Sequence, residues 1–271
     1  MAIAEMQPAK AVTSERKKPV DRSVDEIIDA ARAAGPPVRG ALLLSLMTAI
    51  PLWAAFTPLD LGPLAWVALV PLVMLVRMPQ PSRRMYPVVY LGGLVFWLVT
   101  LQWMRLGDVW MYPAWLALAA YVALYFPLFV GLSRVAVHRW GAPLTLAVPV
   151  VWVGLEFLRA HVLGGFSWYY LGHTQHQWNQ LIQISDLFGA YGVSFLVAMG
   201  NAVLAGLMPF SVLGRLKLLP LDRPDAASAA ESRDRRAWWP IAAMLIVLTL
   251  AVSYGFVRRG QAQFYAGQRV A

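Results

Sequence analysis

Apolar residues in this chain are gathered into seven long stretches, which are separated by short segments that hold most of the charged residues. A hydrocarbon core of about 30 Å needs roughly 17–25 apolar residues per helix, and the stretches are of that order. The pattern therefore predicts an all-α, polytopic membrane helix bundle of about seven transmembrane helices. The predicted spans are Gly40–Thr57, Leu61–Val76, Met85–Met104, Tyr112–Leu132, Gly141–Leu158, Ala190–Phe210 and Ala237–Val257.

The basic residues predict how the bundle is oriented, because loops on the cytoplasmic side of a membrane carry an excess of Lys and Arg. Of the 23 Lys and Arg residues, the predicted spans place all but five on the same side. We therefore expect a cytoplasmic N-terminus and a periplasmic C-terminus. The net charge of +9 follows from this bias, and we expect no nucleic-acid partner because no basic face is interleaved with aromatic residues. The five exceptions are Arg105, Arg159, Arg258, Arg259 and Arg269.

The same pattern predicts the domain organisation. The parts are a cytoplasmic polar tail at 1–39, a transmembrane bundle at 40–257 and a periplasmic tail at 258–271. Within the bundle we expect an interfacial aromatic loop at 160–189 and a cytoplasmic linker at 215–236. Ser23-Val24-Asp25-Glu26 is typical of a capping box, which predicts a short amphipathic helix in the N-terminal tail. That helix either lies on anionic lipid or stays in solvent.

The amino-acid composition excludes several classes of protein. With 59% hydrophobic and 14% charged residues, the chain is too apolar for a soluble globular domain. It contains no cysteine, which excludes a disulfide scaffold and any catalysis by a thiolate within these residues.

Glu156 and Arg159 are the first candidate site residues, because ionisable side chains within or beside a span are costly and are often functional. They are three positions apart near the outer end of the fifth predicted span, so they share a helix face. One interpretation is an internal ion pair. The other is a polar anchor for a lipid headgroup or for another protein segment.

The loop that follows is rich in aromatic residues and contains His161, His173 and His176. No recognised ligand pattern links these histidines to the nearby carboxylates of Glu156 and Asp186. We therefore predict hydrogen-bonding histidines, no metal site and no cofactor.

Several short motifs in this region carry a family resemblance. Together they resemble the N-terminal membrane domain of the apolipoprotein N-acyltransferase family, over about residues 40–260. Ser167 departs from the family, which usually has proline there, and this loosens the local turn. The motifs are Glu156-x-x-Arg159, Gly165-Phe166-Ser167-Trp168, Leu171-Gly172, Gln175, Ile182-Gln183, Asp186, Gly189-x-Tyr191-Gly192-Val193-Ser194-Phe195, Asn201, and a first hairpin from Phe56 to Leu72.

The resemblance implies an activity. Members of the family transfer an acyl chain from a phospholipid to the N-terminal amine of a diacylglyceryl-cysteine on a lipoprotein, at the outer face of the bacterial inner membrane. The reaction passes through a cysteine thioester, assisted by a glutamate and a lysine, in a nitrilase-like domain that follows the seventh span. We expect that domain to be missing from this chain, so no catalytic residue is predicted here, and whether the chain is itself an enzyme stays open.

The predicted function is thus the membrane portion of such an acyltransferase. It would be a multi-pass inner-membrane protein that holds the acyl chains of phospholipid and lipoprotein substrates, with catalysis from a separate nitrilase-like subunit or a missing domain. The alternatives are a non-catalytic membrane scaffold or lipid-binding protein, and a small transporter. The candidate residues for substrate binding or domain docking are Glu156, Arg159, Phe166, Trp168, His173, Gln175 and Gln183.

Overall fold

A computed structural model describes residues 38–78, 84–209, 211 and 238–261. This part of the chain is helical and contains no strand, and it has seven helical segments, which confirms the predicted number of helices. Short 3₁₀ turns at Gln102–Leu106 and Leu171–Gln175 lie between them. The segments are α1 Val38–Ala54, α2 Gly62–Arg77, α3 Met85–Thr100, α4 Met111–Arg139, α5 Leu144–Gly164, α6 Ile182–Leu207 and α7 Trp239–Gln261.

The helices have the length and composition of a multi-pass membrane protein. Each of the last four, α4 to α7, is long and apolar enough to cross a membrane, and α1, α2 and α3 are apolar but shorter. Large apolar side chains cover the outer surface of the bundle, for example Ile50, Leu116, Val150 and Leu250, each more than half exposed. Such a surface is stable against lipid and not against water.

Most helix ends differ from the predicted spans by a few residues, and the end of α4 and the start of α6 differ most. The fourth span was expected to end at Leu132, but α4 continues through a π-helical turn to Arg139. Carbonyl groups from α2 accept the hydrogen bonds of Arg134, so this charge does not end the helix. The sixth span was expected to begin at Ala190, but α6 begins at Ile182, because Gly189 adopts a φ of +61° and allows helix on both sides of a break.

Parts of the predicted domain organisation lie outside the described residues. These parts are the capping box and helix of the N-terminal tail, the linker at 215–236 and residues 262–271 of the C-terminal tail. Residues 258–261 belong to α7. The expected loop at 160–189 overlaps helix at both ends, which leaves residues 165–181 between α5 and α6.

The second helix lies at the centre of the bundle. Its side chains from Leu72 to Val76 are completely buried, and it packs against α1, α4 and α6. The helix is interrupted at Leu69, shortly before Pro71, which has no N–H to donate. Asn201, fully buried on α6, accepts the N–H of Leu69 at 2.8 Å and donates to the carbonyl of Ala65 at 2.8 Å. The amide therefore pairs the polar backbone atoms that the interruption leaves in the apolar core.

Arginine side chains join the C-terminal ends of α2, α4 and α6. Arg134, on α4, is buried and donates to the carbonyl oxygens of Leu75 at 2.9 Å and of Met78. Arg77 donates to the carbonyl of Met208 at 2.7 Å, just beyond the end of α6. The last carbonyl groups of a helix lack partners within the helix, and a nearby cation stabilises them. These arginines hold one end of the bundle together.

Candidate functional site

Residues 165–181, which we call the α5–α6 loop, fold back onto the opposite end of the bundle. Gly165 allows the first turn, since its φ is +82° and a Cβ there would collide with the carbonyl of Ala160. Gly172 lies against α6, where a Cβ would come within 2.6 Å of the carbonyl of Ala190. The N–H of Gly172 donates to Ser194 Oγ at 2.8 Å. The loop is thus packed tightly onto α6 just after the break at Gly189.

Glu156 fastens the middle of this loop. Its side chain is only 4% exposed, and Oε1 accepts two hydrogen bonds. One comes from the backbone N–H of Leu171 at 2.7 Å, and the other from Trp152 Nε1, one helical turn earlier, at 2.9 Å. A carboxylate that accepts a backbone N–H makes one of the stronger hydrogen bonds in proteins. Glu156 therefore fixes where the loop crosses α5.

Arg159 fastens the loop one turn further along α5. Its Nη2 donates to the carbonyls of Trp168 at 3.0 Å and Tyr169 at 3.2 Å. The guanidinium carbon lies 5.1 Å from the ring centre of Trp97, and the rings of Phe166 and Tyr170 lie at 5.7 Å and 5.5 Å. Aromatic rings at these distances stabilise a cation through their quadrupoles. This aromatic cage explains how a guanidinium that is 5% exposed remains in an apolar region.

Glu156 and Arg159 do not form an ion pair with each other. Among the described residues, the ion pair within 4.0 Å joins Arg258 and Asp186 on other helices. Both side chains on α5 are engaged with the backbone of the α5–α6 loop instead. Of the two interpretations of the sequence, the geometry agrees with an anchor for a protein segment, and the segment belongs to the chain itself. Contact of either residue with a substrate or a docked domain stays a prediction.

A small cavity lies beside these two residues. Its volume is about 30 Å³, and the side chains of Phe56, Trp97 and Tyr125 line it together with Glu156 and Arg159. Glu156 Oε2 and Arg159 Nε are buried and have no hydrogen-bond partner among the described residues. The volume is enough for one or two water molecules and far too small for a phospholipid headgroup. The polar pair therefore positions the loop, and contact of the pair with a substrate stays a prediction.

Gln175 attaches the far end of the loop to the centre of the bundle. The side chain is fully buried, and its Oε1 accepts a hydrogen bond from Trp66 Nε1 at 2.9 Å. Its Nε2 donates to the carbonyl of Gly62 at 2.9 Å, at the start of α2. A Cβ on Gly62 would collide with the carbonyl of Thr174. Close packing and hydrogen bonds thus combine to hold the loop against α2.

The remaining candidate residues have separate surroundings. Phe166 belongs to the aromatic cage, whereas Trp168 is 54% exposed and stacks on Trp103 with ring centres 5.1 Å apart. His173 lies beside Tyr170, where partial burial and then the charge of Arg159 lower the pKa of the imidazole. Gln183 donates to the carbonyl of Asn179 at 2.9 Å and takes no part in the cluster around Glu156.

Sequence reasoning missed several members of the cluster. Trp152 was detectable, because it precedes Glu156 by four residues and so lies on the same helix face. Trp97 had no such signal, since an aromatic residue in an apolar span usually packs in the core or against lipid. Tyr169 is also unexpected, since a non-glycine residue with a φ of +57° is uncommon. Within the described residues, no group of three or more His, Asp or Glu side chains is arranged to hold a metal ion.

Exposed tryptophans surround this end of the bundle. Trp103 and Trp110 lie between α3 and α4, and Trp168 and Trp178 lie in the α5–α6 loop, each at least 41% exposed. Tryptophan is enriched where a membrane meets water. We therefore expect the loop to lie at the depth of the lipid headgroups.

Comparison with known proteins shows a family match over more than half of the chain. Residues 48–203 match the family model described as apolipoprotein N-acyltransferase N-terminal domain. The protein named apolipoprotein N-acyltransferase from Rhodopirellula baltica is 37% identical over 166 residues, which are 58% of this chain and 29% of the relative. The protein of the same name from Geobacter metallireducens is 30% identical over 224 residues, 80% of this chain and 39% of the relative. The chain therefore spans well under half the length of these relatives.

Proposed function

This chain belongs to the apolipoprotein N-acyltransferase N-terminal domain family, and on that basis we propose that it is the membrane-embedded part of an enzyme that N-acylates lipoproteins. In this proposal the bundle holds the acyl chains of a phospholipid donor and a lipoprotein acceptor. The match over residues 48–203 carries the proposal, because it includes the whole cluster around Glu156 and Arg159.

The α5–α6 loop is the structural feature that supports this proposal. Glu156, Arg159 and Gln175 hold it against α5 and α2, and its exposed aromatic side chains fit the headgroup region. A rigid platform at that depth suits a reaction in which the acyl ester of a phospholipid must be presented to groups outside the membrane. We propose that the loop is this platform and that a catalytic domain docks on it.

The orientation proposed for the chain follows from the same arrangement. The end that carries the α5–α6 loop also carries Arg105 and Arg258, two of the few basic residues on the side predicted to be outside. The opposite end carries Arg77 and Arg134. By the excess of basic residues, we propose that the loop faces the periplasm of a bacterial inner membrane and the opposite end faces the cytoplasm.

The chemistry itself is proposed to come from a nitrilase-like domain. These 271 residues contain no cysteine, so a thioester intermediate cannot form on any of them. The test is to express the chain with and without the part of the Geobacter metallireducens relative that lies beyond the matched segment. The reaction is followed by mass spectrometry of a diacylated lipoprotein substrate.

The expected result is a third acyl chain on the lipoprotein when both polypeptides are present, and none with either alone. Acyl transfer by this chain alone would contradict the proposed mechanism. A complex that forms but transfers no acyl group would favour a non-catalytic lipid-binding scaffold. A complex that does not form calls for the same test with a nitrilase-like protein from the same source as this chain.

A further inference from the structure

Three buried polar atoms without a hydrogen-bond partner belong to residues that line the small cavity beside α5. They are Trp97 Nε1, Glu156 Oε2 and Arg159 Nε, and each of these side chains is at most 5% exposed. In the described part of the chain, three other side-chain atoms share this property, and none of them belongs to a residue that lines the cavity. Half of these unpaired atoms are thus concentrated at one place.

The chemistry of the three atoms indicates what would pair with them. Trp97 Nε1 and Arg159 Nε each carry an N–H and can only donate, whereas Glu156 Oε2 accepts when the carboxylate is ionised. A water molecule matches this set, because its oxygen accepts two hydrogen bonds while one of its O–H groups donates. Buried polar atoms in folded proteins are usually paired in this way, and a buried water typically makes about three hydrogen bonds.

The size of the cavity agrees with water as the occupant. Its volume is about 30 Å³, and a buried water needs at least about 10–15 Å³. An acyl chain that entered the cavity would leave all three polar atoms unpaired, which costs free energy. A wholly apolar cavity of this size would stay dry, but here the polar atoms supply the partners that hold a water.

We propose that this cavity is a binding site for ordered water, in which one molecule bridges Trp97 Nε1, Glu156 Oε2 and Arg159 Nε. The carboxylate and the guanidinium, which do not touch, then form an ion pair through water, and α3 is joined to the same network through Trp97. A water-mediated hydrogen bond is nearly as favourable as a direct one, and opposite charges attract strongly in an apolar region.

The bridge has a consequence for the α5–α6 loop. Glu156 binds the loop at Leu171, and Arg159 binds it at Trp168 and Tyr169. A water shared by the two side chains couples these attachments, so that loss of one weakens the other. The inference concerns the bundle alone and does not depend on the proposed acyl transfer.

The hydroxyl of Ser194 on α6 is the competing partner for Glu156. It accepts the N–H of Gly172 at 2.8 Å, and it is close enough to Glu156 to interact with it. Among the described residues, however, no hydrogen bond within 3.5 Å reaches Glu156 Oε2. A contact with Ser194 would also leave Trp97 and Arg159 unpaired, whereas the water accounts for all three atoms.

The first test detects the water in the unmodified chain in lipid nanodiscs. Brief X-ray irradiation produces hydroxyl radicals from bound water, and these oxidise the side chains beside it. Mass spectrometry should show that Trp97 is oxidised faster than Met74 and Met85, although methionine sulfur is the more reactive group. Both methionines are fully buried and do not line the cavity. Oxidation of Trp97 that is no faster than theirs would overturn the proposal.

The second test asks whether Trp97 and Glu156 share a partner. Trp97→Phe keeps an aromatic ring beside Arg159 and removes the N–H, and Glu156→Gln keeps the oxygen bound to Leu171 but replaces the acceptor Oε2 by a donor. Each change should speed protease cleavage within residues 165–181 about fivefold, because it removes a hydrogen bond to the water. Since both changes break the same bridge, the double variant should be cleaved little faster than either single variant.

Trp66→Phe is the matched control for this comparison. It removes an indole N–H that donates to Gln175 at 2.9 Å, at the other end of the loop, and Trp66 does not line the cavity. Its effect on the cleavage rate should multiply with that of Glu156→Gln, because the two sites share no partner. If the effects of Trp97→Phe and Glu156→Gln also multiply, the proposal is overturned and Ser194 becomes the partner of Glu156. If a variant does not fold, the oxidation of Trp97 in the unmodified chain decides.

Discussion

Glu156 Oε1 lies 2.7 Å from the backbone nitrogen of Leu171, so a carboxylate within the fifth helix determines where the following loop crosses it. Arg159 does the same for Trp168 and Tyr169 through their carbonyl groups. A negative and a positive side chain on one helix face therefore bind opposite kinds of backbone group. Neither residue needs the other as a direct partner, and each should be tested separately.

Replacing Glu156 by alanine should lower the free energy of unfolding by about 2–4 kcal/mol, because the N–H groups of Leu171 and Trp152 would be left buried and unpaired. Glu156→Gln keeps an accepting oxygen and should cost less. The measurement is unfolding in mixed detergent micelles. Gln183→Ala serves as the control, since among the described residues that side chain donates to the nearby Asn179 carbonyl and not to the cluster around Glu156. Equal losses in Glu156→Ala and Gln183→Ala would show that Glu156 does not fasten the loop.

Arg159→Lys should loosen the α5–α6 loop although it keeps the charge. Lysine cannot donate in the same planar geometry to two carbonyl groups while it keeps a cation over the rings of Trp97 and Phe166. We expect cleavage within residues 165–181 by a protease to become about tenfold faster, which corresponds to about 1.4 kcal/mol of local stability. Arg259→Lys, at an exposed position, should leave the rate unchanged. If Arg159→Lys is cleaved at the wild-type rate, the aromatic cage around Arg159 does not stabilise the loop.

Asn201→Leu, which keeps the branching of the side chain and removes its polar atoms, should destabilise the bundle by about 2–4 kcal/mol. The substitution leaves the N–H of Leu69 and the carbonyl of Ala65 without partners in an apolar core. Asn179→Leu in the exposed loop is the matched control and should change stability by less than about 0.5 kcal/mol. Thermal unfolding in detergent compares the two variants. A stable Asn201→Leu variant would mean that the interruption of α2 does not need the amide.

The absence of cysteine from these 271 residues makes the orientation directly measurable. A single cysteine at the exposed position Ser167, in the α5–α6 loop, should react with a membrane-impermeant maleimide added to intact spheroplasts. A cysteine at Trp140, which is 75% exposed at the opposite end of the bundle, should react only after permeabilisation. The reverse pattern would overturn the proposed orientation and the periplasmic position of the loop.

Much of the fold could be predicted from the sequence because lipid imposes a simple requirement on it. Each helix that crosses the membrane must be apolar along its length, so the seven helices were visible as apolar runs. Their ends were less predictable. The continuation of α4 to Arg139 depends on carbonyl groups from α2, and the early start of α6 depends on the backbone conformation of Gly189.

The candidate site was predictable only in part, for a related reason. Glu156 and Arg159 stood out because charges are costly in an apolar helix, but their partners are backbone groups of Leu171, Trp168 and Tyr169, and a backbone group has no signature in the sequence. Gln175 and Asn201 were noticed through a family resemblance, which did not reveal that both bind the backbone of α2.

The sequence by itself therefore determined the membrane class, the number of helices and the residues whose polarity needs an explanation, since transfer into lipid depends on composition along the chain. Only the tertiary structure decided that the charges on α5 hold a loop and not each other, and that Arg258 on α7 pairs with Asp186 on α6. Such long-range contacts join residues that are far apart in the chain, up to 136 positions for the bond between Asn201 and Ala65. Helix packing brings such residues together, and local sequence patterns do not record it.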